Sequence, residues 1–165
     1  MNLIDQLRVL GKQINNNFNY VNCGGCAVIA SIVGTYLREI GIEPRIVVGD
    51  DHEDDGTSVD EIRNQIKKNT IKEWNKNGLH FGHVAIEFDY NGERWQFDTD
   101  DTAHPDGYVD TYMRYEGYLS LEEVTEIALD TSGDGWNWMF NRDQIPHIHK
   151  MVFDFFNTNL LPKTQ

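Results

Sequence analysis

The chain of 165 residues is poor in cysteine, proline and basic side chains. Its two cysteines, Cys23 and Cys26, sit three apart, and so close a pair is no disulfide framework. Lys and Arg total 14 against 27 Asp and Glu, a net charge of −13. That excludes the basic surface needed for sequence-independent binding to nucleic acid or anionic membrane. No apolar run approaches the roughly 20 residues of a membrane span. The opening Met1-Asn-Leu-Ile-Asp-Gln-Leu-Arg8 has neither the basic segment nor the apolar stretch of a signal peptide. The expectation is a cytoplasmic protein with no nucleic-acid or membrane partner. Repeats, linkers and low-complexity segments are lacking too, so residues 1–165 read as one domain. An apolar content of 39% is enough for a core.

What is present alternates between helix and strand patterns. Leu3, Ile4, Leu7, Leu10 and Ile14 recur at helical spacing, predicting an amphipathic helix over 3–17. Residues 26–40 are apolar nearly all round, which predicts a buried helix that Gly41 stops. Arg45 to Val48 reads as a strand, followed by an acidic loop from Gly49 to Thr57. Ser58 can cap a mostly polar surface helix running to about Lys76. Asn91-Gly92 predicts a two-residue hairpin turn between strands 83–90 and 93–99. Asp100 to Gly107 reads as another acidic loop, and residues 108–118 as extended. Ser120 and Glu123 form a capping box for a helix to about Leu129, and Asp143 to Asn159 is helical. The class is α+β, with a C-terminal helical extension over about 119–160.

The hairpin turn sets a register with chemical consequences. Tyr90 faces Glu93, Phe88 faces Trp95, Ile86 faces Phe97 and Val84 faces Thr99, an apolar face turned to the core. The other face carries His83, Ala85, Glu87, Gln96, Asp98 and Asp100. His83 is the diagonal neighbour of Asp98, within side-chain reach, and Asp100 is the competing partner. A solvated surface pair would look the same. The first cysteine stretch, Asn22-Cys-Gly-Gly-Cys-Ala27, shifts the balance. Cys26 falls at the start of the buried helix, where unpaired N–H groups favour a thiolate. Two glycines there, Gly24 and Gly25, let a substrate backbone come close. A thiolate, an imidazole and a carboxylate make a Cys–His–Asp triad, with the Cys26 N–H facing the developing oxyanion.

Cys26-Ala-Val-Ile-Ala30, followed by Tyr36-Leu-Arg-Glu-Ile-Gly-Ile-Glu-Pro-Arg45-Ile-Val-Val-Gly49, resembles the transglutaminase-core superfamily. So does the second block: His83, Glu87 four residues on, a short hairpin, then Trp95-Gln-Phe-Asp98. The resemblance covers roughly residues 20–100. It implies a papain-like α+β fold, with Cys26 as nucleophile, His83 as base and Asp98 as orienter. The implied activity is acyl transfer on a peptide or protein amide, hydrolytic or to an amine, without a cofactor. The family often has Asp-Pro-Thr where this chain has Asp98-Thr-Asp100, so Asp98 and Asp100 both stay open. Tyr20 and Asn22 are oxyanion candidates by proximity.

Other readings compete. Cys23-Gly-Gly-Cys26 also matches a thiol-disulfide redox motif, although no strand signal precedes it. A non-catalytic interaction module that retains the fold is a third reading. Zinc lacks two further ligands, and His147 and His149 point apart on a helix. Asp130, Ser132 and Asp134 fit the start of a calcium loop, but its twelfth position is Asn141 in place of Glu, so a glycine-rich turn is favoured. Trp136 and Trp138 either pack the last helix or wall a substrate groove. His52, His80 and His104 read as loop residues, with His80 the fallback base.

Overall fold

In a computed structural model, residues 2–22, 24–51, 59–67, 83–104, 113–129 and 139–159 are described. They form five helices and one five-stranded antiparallel sheet, an α+β arrangement. Helix α1 spans Leu3–Asn17; the Asn2 side chain accepts from the Asp5 N–H and caps its start. Its stripe of Leu3, Ile4, Leu7, Leu10 and Ile14 is buried. Complete burial of a Leu or Ile side chain contributes about 1.5–3 kcal/mol, so this stripe anchors the helix.

Helix α2 spans Cys26–Glu39 and is buried on nearly every side. Strand β2 (His83–Tyr90), a fourth helix α4 (Leu121–Leu129) and a fifth helix α5 (Ile145–Asn159) surround it. That is why its apolar residues show no single stripe. Ser120 and Glu123 cap α4 reciprocally: the Ser120 N–H donates to the Glu123 carboxylate at 2.9 Å, and the Glu123 N–H donates to Ser120 Oγ at 3.1 Å. A 3₁₀ turn over Arg142–Gln144 leads into α5. No helix among the described residues is long and apolar enough to cross a membrane.

The sheet order is β4-β3-β2-β1-β5, with β1 Arg45–Asp51, β2 His83–Tyr90, β3 Glu93–Phe97, β4 Thr102–Ala103 and β5 Met113–Leu119. Asn91 and Gly92 both have positive φ, +53° and +78°, the geometry of a tight hairpin turn. The turn sets Tyr90 against Glu93, Phe88 against Trp95 and Ile86 against Phe97. Beyond Phe97 the expected pairing stops: the Asp98 N–H donates to the Asp101 carbonyl at 2.9 Å, and the chain turns away. Val84–Thr99 and Ala85–Asp98 are therefore not ladder pairs.

Two further expectations are corrected. Gly49 to Asp51 do not open a loop; they extend β1 past a bulge at Val48/Gly49, paired with Tyr115 to Met113. Thr102 and Ala103, expected in a loop, add the short edge strand β4 beside β3. The second face of the hairpin is not solvated: Glu87 and Gln96 are 2% and 4% exposed. Glu87 accepts from Arg45 Nη2 at 3.2 Å, the Tyr118 hydroxyl at 2.8 Å and Gln96 Nε2 at 3.1 Å. A buried carboxylate needs such donors. Helix α3, Val59–Lys67, is polar outward but buries Val59 and Ile62. Ser58 and the stretch to Lys76 lie outside the described residues.

Candidate active site

Cys26 is the first residue of α2, and its N-cap, Gly25, makes no side-chain cap. The first-turn N–H groups of a helix have no intrahelical partners, so the sulfur sits beside donors and the positive end of the dipole. Gly25 is buried, and the reason is packing. A Cβ there would lie 2.6 Å from the Val21 carbonyl oxygen and 2.8 Å from Phe140. The space expected for a substrate backbone over Gly25 is thus occupied by the protein itself. Gly24 is half-buried in the preceding turn, with φ +102°.

His83 is the first residue of β2 and lies opposite Gly49 of β1. Its Nε2 is hydrogen-bonded to Asp98 Oδ2. Its ring lines the same cavity as Cys26, whose side chain is among the causes that raise the imidazole pKa. With Nε2 taken by the carboxylate, Nδ1 is the nitrogen left for the sulfur. Asp98 is 5% exposed in its side chain and His83 20%. Burial disfavours charge on the imidazole, but the Asp98 and Cys26 side chains outweigh it. The His83 pKa is held well above its usual 6.5.

Asp98 and Asp100 part company here. Asp100 Oδ1 accepts from Asn15 Nδ2 at 3.0 Å, and its side chain is exposed. Asp98 is turned inward to His83. Asn22 lines the same cavity as Cys26, His83, Asp98 and Thr99. The cavity measures about 10 Å³, room for roughly one water molecule. Tyr20 is not brought into it; it is 53% exposed, with φ +58°.

Sequence reasoning missed the role of α1. Asn15 Nδ2 also donates to the Thr99 carbonyl at 3.0 Å, and Arg8 Nε donates to the Thr102 carbonyl at 3.0 Å. Between them Gly11 approaches so closely that a Cβ would sit 2.8 Å from the Thr99 oxygen and 3.2 Å from the Asp98 oxygen. Arg8, Gly11 and Asn15 share one helix face and hold the Asp98–Thr102 turn. The one available signal was a glycine inside a helical pattern.

The other described histidines lie elsewhere. His104 stacks on Trp95 at 3.9 Å, and His149 Nδ1 is 3.3 Å from the Tyr36 hydroxyl. His147 is exposed on α5. Among the described residues no group of three His, Cys, Asp or Glu could hold a metal ion. Cys23, His52, His80, Asp130, Ser132, Asp134, Trp136 and Trp138 lie outside the described residues. No family model, no curated protein and no solved structure matches the chain.

Proposed function

We propose that the chain is a cysteine-dependent acyl-transfer enzyme with a papain-like fold of the transglutaminase-core type, acting on a peptide or protein amide. One observation carries this reading: an imidazole hydrogen-bonded to a buried carboxylate shares a cavity with a sulfur at a helix start. Surface His–Asp pairs lack the third group, and buried structural cysteines lack the imidazole.

In this mechanism His83 takes the Cys26 proton as the sulfur attacks, and Asp98 stabilises the imidazolium charge. The thiolate attacks the amide carbonyl carbon, and the Cys26 N–H and the Asn22 carboxamide face the oxyanion. The carbon–nitrogen bond breaks, and His83 gives its proton to the leaving amine. The thioester on Cys26 is then attacked by water or an amine, whose proton passes to His83 as the carbon–sulfur bond breaks. Water makes the protein a peptidase or amidase; an amine makes it a cross-linking or modifying enzyme. We favour water, because the cavity beside the sulfur has room for about one such molecule, with Asn22, His83, Asp98 and Thr99 among its walls.

The same small cavity favours a second reading, a non-catalytic module that retains the fold, since Cys26 is only 8% exposed. Iodoacetamide distinguishes the two. The enzyme reading expects rapid alkylation mapped to Cys26 near neutral pH, slowed at least about tenfold in His83→Ala. It also expects Cys23→Ser to change little, whereas a thiol-disulfide function would be abolished by that change. A sulfur that reacts slowly, and equally with or without His83, would falsify the enzyme reading.

A further inference from the structure

Thr99 connects the two sides of the site. It is 1% exposed, and its hydroxyl lies 3.0 Å from Asn22 Oδ1 and 3.3 Å from Asp98 Oδ1. A hydroxyl has one proton, so it donates to one of these oxygens at a time. The Asn22 contact is the shorter, and Asp98 already holds His83 through Oδ2. With Oδ1 of Asn22 engaged, Nδ2 is the end of the carboxamide left to face the cavity it shares with Cys26. A carboxamide turned the other way would set an oxygen against the developing oxyanion, and repulsion would replace stabilisation.

We infer that Thr99 is a positioning residue that keeps the amino end of Asn22 aimed at the oxyanion above Cys26. This rests on the acyl-transfer reading and adds to it a residue outside the triad. The device is built from both ends. The backbone carbonyl of Thr99 accepts from Asn15, and Gly11 admits α1 into contact with it, so the hydroxyl cannot drift. Asn22 lies four residues before Cys26, and this bond holds its side chain. The bond therefore ties the segment before the cysteine to the segment after β3.

The test separates chemistry that needs an oxyanion donor from chemistry that does not. Alkylation by iodoacetamide displaces iodide at a saturated carbon and develops no oxyanion. Acylation by 4-nitrophenyl acetate passes through one; the thiolate adds to the ester carbonyl and 4-nitrophenolate leaves. Thr99→Val keeps the shape and removes the proton. It should cut acylation about tenfold to a hundredfold while changing alkylation far less. Thr99→Ser keeps the hydroxyl and should restore most of the acylation rate, which also separates the effect from misfolding. Asn22→Ala should lose as much as Thr99→Val, and the double variant should lose no more than Asn22→Ala alone. Acylation of Thr99→Val at the wild-type rate, a parallel fall in both reactions, or additive losses would each overturn the role of Thr99 while leaving the triad standing. A wild-type Cys26 inert to both reagents would overturn the acyl-transfer reading, and the inference with it.

Discussion

Two buried carboxylates ride on one hairpin and are held in opposite ways. Glu87, mid-strand in β2, is 3% exposed in its side chain. It is saturated by Arg45, Tyr118 and Gln96, with Arg94 Nε 3.8 Å away. Its donors come from β1, β3 and β5, so it ties four strands together. Asp98, just past β3, is 5% exposed and spends one oxygen on an imidazole that shares a cavity with a sulfur. A guanidinium does not exchange its proton near neutral pH, whereas an imidazole does. The same residue chemistry therefore serves stability at one place and, in the proposed mechanism, proton transfer at the other.

The comparison is broken most severely at the sulfur end. His83→Ala should slow acylation by 4-nitrophenyl acetate about 10²–10⁴-fold while the protein stays folded, as read by initial rates and circular dichroism. At the other carboxylate, Glu87→Ala should cost about 3–5 kcal/mol, because it leaves Arg45 and its neighbours without their buried partner. Urea unfolding measures that loss, and the folded fraction should acylate within about threefold of wild type. A large rate loss with unchanged stability would reverse the two roles.

The pH dependence sharpens the contrast. The folded His83 pKa lies above the ordinary 6.5, because the Asp98 and Cys26 side chains outweigh burial. Its contribution to stability is therefore fully present below about pH 6.5 and is lost as the pH rises through the folded value. The melting-temperature gap between wild type and His83→Gln should be widest in mild acid and close as the pH rises. Arg45 stays charged throughout: its hydrogen bonds to Asp89 and Glu87 raise it further, against the opposing effect of burial. The gap for Arg45→Met should hold steady over the same range. A His83→Gln gap that widens with pH would contradict the assignment. The smallest effect belongs to the α1 clamp. Asn15→Ala should cost about 1 kcal/mol, with a severalfold slower acylation, whereas Gln13→Ala on the same helix should leave acylation unchanged.

The local parts of this molecule were legible in its sequence, and the long-range parts were not. Helix α1 and the interior helix follow from apolar spacing, and the hairpin register from Asn91-Gly92, because each depends on neighbours a few residues away. The capping box of Ser120 and Glu123 is legible for the same reason. The burial of Glu87 was hidden, since strict alternation sends a glutamate outward unless distant strands bring donors. Nothing near Glu87 in sequence announces Arg45 or Tyr118. The choice between Asp98 and Asp100 turned on one backbone hydrogen bond from Asp98 to Asp101, which ends β3 and rotates the two carboxylates apart. Gly25 was read as room for a substrate because sequence cannot show that Val21 and Phe140 fill that room.

The most direct measurement is the mass of the protein quenched during its reaction with 4-nitrophenyl acetate, with the adduct mapped by peptide digestion. The account predicts an acetyl group on Cys26 in the wild type that does not accumulate in His83→Ala. An unmodified Cys26 in the wild type, or equal acetylation with and without His83, would contradict it.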